Sequence, residues 1–289
     1  MPCSAVTLSM ATITAIVAVA LLAIAFSTDN WLYIEVKRAQ IQQYAAKRGG
    51  QDNLLDNMNK KYYYYTRTKG LFRICYPKER PPTIATYLSP VETHCHNIDY
   101  YIHAGEDTTK TFSEDAMARI HMGRAMIALF IVAFIAIFVA FWTGVAGCWR
   151  RSPGNVTATA IMMLLACLLS AGGMGLWHGV EYYEKEKIVG EEFYRQWNPA
   201  LQAETTISYD WSYIMAWISV GFSLVSSSLF LSAAVCLRNE KEAEKVKNVQ
   251  YIMPVYPQKQ QYAYATGYPA PSAYPGPYYH GSQYGPYNY

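Results

Sequence analysis

Charge is missing from four long stretches of this 289-residue chain. No Asp, Glu, Lys or Arg occurs in Val6–Phe26, Ala125–Cys148, Val156–Val180 or Trp211–Leu237. Each stretch reaches the roughly 20 helical residues that cross a hydrocarbon core of about 30 Å. The fold class expected is therefore a membrane all-α four-helix bundle. The stretches lack the two-residue alternation of a lipid-facing barrel, which excludes that architecture. Ionisable groups at depth are lacking too: apart from thiols, His178, near the outer end of the third stretch, stands alone. A proton relay, a substrate path through the bundle or intramembrane proteolysis would need such groups. No enzyme activity and no cofactor are expected, and His178 reads as a satisfied interfacial histidine rather than a switch.

Two smaller absences narrow the reading further. No Lys or Arg precedes the first stretch, and its 21 residues are long for the core of a signal peptide. Although Ala23-Ile24-Ala25 has the form of a cleavage site, the stretch is read as a retained span. Cysteine is scarce, with six in all. Cys3, Cys148 and Cys236 fall at span edges, Cys167 lies within the third span, and Cys75 and Cys95 occupy the long first loop. No pair among Cys75, Cys95, His96 and His103 has the spacing of a structural zinc site, so no metal is expected.

Basic residues set the orientation. Arg150 and Arg151 lie in the short connection after the second span, and Arg238, Lys241, Lys245 and Lys247 follow the fourth. Lys and Arg in short loops and beside span ends stay in the cytosol. Both termini are expected to be cytoplasmic, in a multi-pass protein of the plasma membrane. The layout is then a cytosolic 1–5, spans at 6–26, 125–148, 156–180 and 211–237, outer loops at 27–124 and 181–210, a cytosolic connection at 149–155, and a cytosolic tail at 238–289. The net charge of +3 is dispersed over these loops and implies no nucleic acid partner. Asn155-Val156-Thr157 has the form of a glycosylation sequon but falls on the cytosolic side of this layout.

The first outer loop carries strand-forming runs at 30–36, 62–66 and 71–76, rich in Tyr, Phe, Ile and Val. Alternation in Leu71–Tyr76 sets Leu71, Arg73 and Cys75 on one face and Phe72, Ile74 and Tyr76 on the other. Gly70 bends the entry or admits another backbone. Two lone thiols in an oxidising loop usually pair. A Cys75–Cys95 bond would pin a small antiparallel sheet over the bundle and contribute roughly 3 kcal/mol in the chain-entropy model; the alternative is two unpaired cysteines. Ser113 is placed to cap a helix, with Glu114 and Asp115 in its first turn, that runs unbroken into the second span. The acidic second loop, 181–210, reads as a solvated face or a surface for a basic partner. Small residues, Gly175 and Gly179, Ala11 and Ala15, and Ser226–Ser228, suit close packing within one bundle, with a dimer face as the alternative.

Trp31, the run Gly70-Leu71-Phe72, Cys75, Cys95 and Arg124 just before the second span together resemble the first-loop signature of the claudin, peripheral myelin protein and stargazin-like superfamily. The resemblance covers about residues 5–238. Phe72 stands where the family usually has tryptophan, and the first loop, 98 residues, is longer than in a barrier claudin. The resemblance implies a protein of cell–cell contact or membrane organisation, at cell junctions, meeting lipid and protein partners through its outer loops and able to form homo-oligomers. The alternative is an auxiliary subunit of a receptor or ion channel, and the third reading a paracellular barrier or pore. Cys148 and Cys236 are candidate palmitoylation sites, as juxtamembrane cysteines of relatives often are.

After Lys247 the composition changes to a Tyr/Pro-rich run with 11 tyrosines. Such a run cannot bury a core and is expected to be disordered. Tyr251, three residues before Pro254, is the candidate phosphotyrosine, and the tail is expected to recruit adaptor or cytoskeletal proteins.

Overall fold

The computed structural model describes residues 3–47, 52–101 and 113–252. The Tyr/Pro run from 253 on, expected to be disordered, and His103 lie outside these residues. Among the described residues, four helices are long and apolar enough to cross a membrane. They are α1 (Cys3–Ser27), α4 (Glu114–Arg150), α5 (Pro153–Tyr182) and α7 (Trp211–Ile252). The packed spans and their sheet lie within residues 1–241. Ser113 caps α4 by accepting from the Ala116 amide at 3.2 Å, with Glu114 and Asp115 in the first turn, as the sequence led one to expect. At the other end Arg151, in the left-handed region at φ 45°, and Ser152 are the only residues between α4 and α5, and Pro153 opens α5.

Serine hydroxyls of α7 tie the spans together through backbone carbonyls. Ser219 donates to Ala18 at 2.7 Å, Ser226 to Ala11 at 3.0 Å and Ser227 to Ala160 at 2.9 Å. These contacts need small neighbours: Ala11, Ala18 and Ala160 are buried. A side chain at Gly179 would meet Met122 Sδ at 3.2 Å, and one at Gly173 the Phe130 ring at 3.0 Å, so both glycines serve packing of α5 on α4.

A six-stranded antiparallel sheet covers one end of the bundle, in the order β4-β5-β3-β2-β1-β6. The strands are β1 (Leu32–Val36), β2 (Arg67–Lys69), β3 (Arg73–Tyr76), β4 (Tyr87–Leu88), β5 (His94–Asn97) and β6 (Thr205–Tyr209). The runs expected at 30–36 and 71–76 are β1 and β3. The expected strand at 62–66 is displaced: Tyr62–Tyr64 form a 3₁₀ turn and the strand is Arg67–Lys69. Tyrosine propensity favoured the earlier run, but Tyr63 and Tyr64 are buried in the turn, and Tyr63 stacks on Trp197 at 6.1 Å. β6 comes from the second loop and pairs with all five residues of β1, from Leu32↔Tyr209 to Val36↔Thr205. Between β1 and β2 lie two helices, α2 (Arg38–Lys47) and α3 (Asp52–Lys60), which bury Ile41, Ala45, Leu54 and Met58. A short helix, α6 (Pro199–Ala203), precedes β6. The core below the sheet joins Leu22, Trp31, Met126, Phe130, Met174 and Trp177, all buried.

Candidate functional site

The signature residues converge where the sheet meets the bundle. Trp31 is fully buried, donates its indole N–H to the Ala25 carbonyl at 2.8 Å and packs against Phe130 and Trp177, with ring centroids at 6.0 and 5.1 Å. It thereby anchors β1 onto α1 immediately below it. Gly70 turns the chain from β2 to β3 directly over Asp29: a Cβ there would lie 2.6 Å from Asp29 Cα. Both roles open to Gly70, the bend and the close backbone approach, are therefore seen. Asp29 in turn holds Arg73 through two contacts, Nη2–Oδ2 at 2.7 Å and Nε–Oδ1 at 3.1 Å. Burial pushes the Asp29 carboxyl up, against the pull of Arg73. Leu71 is fully buried, and Phe72 meets Phe26 edge-on at 5.1 Å.

Arg124 reaches the same junction from α4. Its Nε donates to the Tyr100 carbonyl at 2.7 Å, and the Tyr100 hydroxyl donates to the Leu71 carbonyl at 2.6 Å. A relay of two hydrogen bonds therefore ties the start of the second span to the Gly70–Phe72 turn. Cys75 and Cys95 face each other across β3 and β5 and are bonded. His178 is satisfied as expected, with Tyr213 Oη 3.0 Å from Nε2 and Tyr209 Oη 3.4 Å from Nδ1. Cys148 is a free, exposed thiol, whereas Cys236 is disulfide-bonded, so its sulfur is already engaged. Tyr251 lies in the last turn of α7.

Charge is buried where the sequence suggested a solvated face. Glu184, in the turn that continues α5, accepts from Lys69 Nζ through one carboxylate oxygen and from Arg119 Nε at 2.7 Å through the other. The three side chains are 18 %, 11 % and 24 % exposed, in the same order. Lys69 also lies over the Trp177 ring at 5.6 Å. Burial pushes the Lys69 ammonium down, and Glu184 pulls it back up. Arg67, on the same face of β2, is 6 % exposed and donates Nη1 to the carbonyls of Tyr63 and Tyr65 at 3.0 and 3.2 Å. Its guanidinium carbon sits 5.6 Å from the Trp197 ring and 5.9 Å from Tyr62. Burial pushes its pKa down as well. The cluster thus joins the first loop, the second loop and the foot of α4. The signal for it was present but dispersed: Trp177, Glu181 and Glu184 recur at helical spacing across the end of the third apolar run, and Arg67 and Lys69 alternate on one strand.

A cavity of about 410 Å³ opens beside these groups, with Tyr62, Arg67, Lys69, His96, Arg119 and Trp197 among its walls. His96 stacks on Tyr76 at 5.7 Å, and its Nδ1 is buried without a hydrogen-bond partner among the described residues. Burial, and then the Arg67 charge, push its pKa down from 6.5.

Comparison with known proteins places the chain in a family. The profile of the family described as PMP-22/EMP/MP20/Claudin tight junction matches residues 16–232, from within the first span to within the fourth, with both loops between. Among curated proteins nothing matches.

Proposed function

The chain belongs to the PMP-22/EMP/MP20/claudin family, and on that premise we propose a non-enzymatic role in cell–cell contact or membrane organisation at the plasma membrane. In this reading both termini are cytosolic, the sheet faces outward, and the tail beyond Lys247 recruits adaptor or cytoskeletal proteins. The observation that carries it is the edge of the sheet at β4. Within five residues, Tyr87 is 42 %, Leu88 61 % and Val91 75 % exposed, at the opposite end of the strand order from β6. Apolar side chains grouped on an edge next to the Cys75–Cys95 staple contribute nothing to the chain's own core and suit a protein surface on the same or a neighbouring cell.

The test is a mixing experiment with fluorescently tagged protein. Leu88→Asp combined with Val91→Asp is expected to abolish enrichment at borders between two expressing cells while leaving the amount at the surface unchanged. Undiminished enrichment would sink the reading. The orientation has its own test: Asn155 is expected to remain unmodified, and a glycosidase-sensitive mass shift abolished by Asn155→Gln would reverse it.

The second reading, an auxiliary subunit within one membrane, is favoured by the α2–α3 pair, which adds a helical surface between β1 and β2. Stoichiometric co-purification of a channel or receptor subunit, lost when 38–60 is replaced by a short linker, would establish it over adhesion.

A further inference from the structure

The geometry points to the cavity beside Arg67 as a binding site for a carboxylate carried on an aromatic body. Its volume, about 410 Å³, falls within the roughly 300–1,000 Å³ typical of small-molecule sites. Its inner wall holds more positive than negative charge. Lys69 and Arg119 share the single carboxylate of Glu184. Arg67 forms no salt bridge among the described residues, although it is 6 % exposed. Removing a guanidinium from water without a counter-ion is expensive. Two backbone carbonyls and two aromatic faces offset part of that expense, but only Nη1 is engaged by them. The guanidinium's remaining donors suit one carboxylate, which a guanidinium binds in a fork.

The acidic residues of the cavity lie elsewhere or are engaged. Glu181 is held by the Lys185 ammonium and by the Tyr209 hydroxyl at 2.7 Å. Asp99 and Glu192 are on the exposed rim, where Glu192 accepts from the Tyr62 hydroxyl at 2.8 Å. An anion that reaches Arg67 has passed the rim acids Asp99 and Glu192 and meets Arg67, Lys69 and Arg119, with Glu184 held between the last two. Tyr62 and Trp197 line the cavity with Ile74, Ile98 and Phe193 and provide for a flat apolar body. His96 adds an uncommitted ring nitrogen on the same wall.

Two sources share this chemistry: a free aromatic acid, and the C-terminal carboxylate of a peptide ending in an aromatic residue. The experiment uses the full-length protein in detergent micelles and follows quenching of tryptophan fluorescence, to which Trp197 contributes from the cavity wall. Titrants are 3-phenylpropionate, its amide, and the peptide Gly-Gly-Phe with a free or an amidated C-terminus. The acid form of at least one pair is expected to bind tenfold or more tighter than its amide. If the peptide acid is the tighter of the two acids, the occupant is a chain terminus; if 3-phenylpropionate is, the occupant is a small molecule. Amides that match their acids in both pairs overturn the proposal, and because that comparison uses the unaltered protein it does not depend on any variant folding. Arg67→Met, which keeps the apolar stem, is then expected to remove the preference for the acid in whichever pair displays it.

Discussion

Glu184→Gln isolates the electrostatic link between the two loops. The substitution keeps the side chain's size and removes its charge, leaving Lys69 and Arg119 facing a neutral amide. Breaking a buried pair by neutralising one partner costs about 3–5 kcal/mol, because the other charge stays out of water. Lys69 is 11 % exposed and Arg119 24 %, so Lys69 bears most of the penalty and Arg119 recovers part of its hydration. The lower half of that range is the reasonable figure, about 3–4 kcal/mol. For a chain of this size each kcal/mol lowers Tm by roughly 2–4 °C, giving a fall of roughly 10 °C. The assay is thermal unfolding of the full-length protein in detergent, read by circular dichroism and by loss of the monodisperse chromatographic peak. Lys69→Met is expected to lower Tm less, since Glu184 keeps Arg119. The double variant is expected to fall short of the sum of the singles, because both break the same contact. A fall under about 2 °C for Glu184→Gln, or strict additivity in the double variant, would mean that Glu184 does not bind the loops together in this way.

Gly70→Ala places a methyl 2.6 Å from the Asp29 backbone, which cannot move aside as a flexible side chain can; a loss of about 1–3 kcal/mol is expected in the same thermal assay, together with weakened Asp29–Arg73 pairing. His96 has its pKa lowered, so its neutral form is favoured by the fold: its contribution is complete above pH 6.5 and is lost as pH falls through that value towards the lowered one. Thermal scans from pH 7.5 to 5.5 should therefore slope downward, and His96→Gln should flatten the slope relative to the unaltered protein. Cys148, exposed and free beside Arg150, is expected to carry an S-acyl chain; acyl-exchange labelling should disappear in Cys148→Ser.

The spans were readable because lipid leaves a helix no alternative to a continuous apolar run. Their ends were legible where a cap marks them, as Ser113 does for α4, but not at the end of α7, which continues to Ile252 through residues read as tail. The Trp31–Arg124 junction was named residue by residue, but its wiring through Asp29 and Tyr100 was not, since neither residue has a pattern of its own. β6 escaped notice because it is an edge strand with no fully buried residue, and its partner β1 lies far away in sequence. The helices α2 and α3 did carry a signal, in the four-residue spacing of Ile41 and Ala45 and of Leu54 and Met58. Tyr62–Thr66 misled in the opposite direction, because a tyrosine run suits a strand and an aromatic cluster equally well. Arg-Thr-Lys, poor in propensity, becomes a strand because β1 and β3 flank it.

The pairing of β1 with β6 also has a clock in it. β1 emerges early in synthesis, and its outer partner arrives only after the second and third spans have been made. At about 5–20 residues per second, the roughly 170 intervening residues take on the order of 10–30 s. Throughout that interval β1 offers an unpaired edge, although the Cys75–Cys95 bond on the other side of the sheet can already close. An open edge recruits whatever strand is near, including the same strand of a neighbouring nascent chain. Variants that slow the arrival of α5 or α7 therefore lengthen the exposure of β1, and their defect should surface as misassembled chains long before any finished surface is put to use.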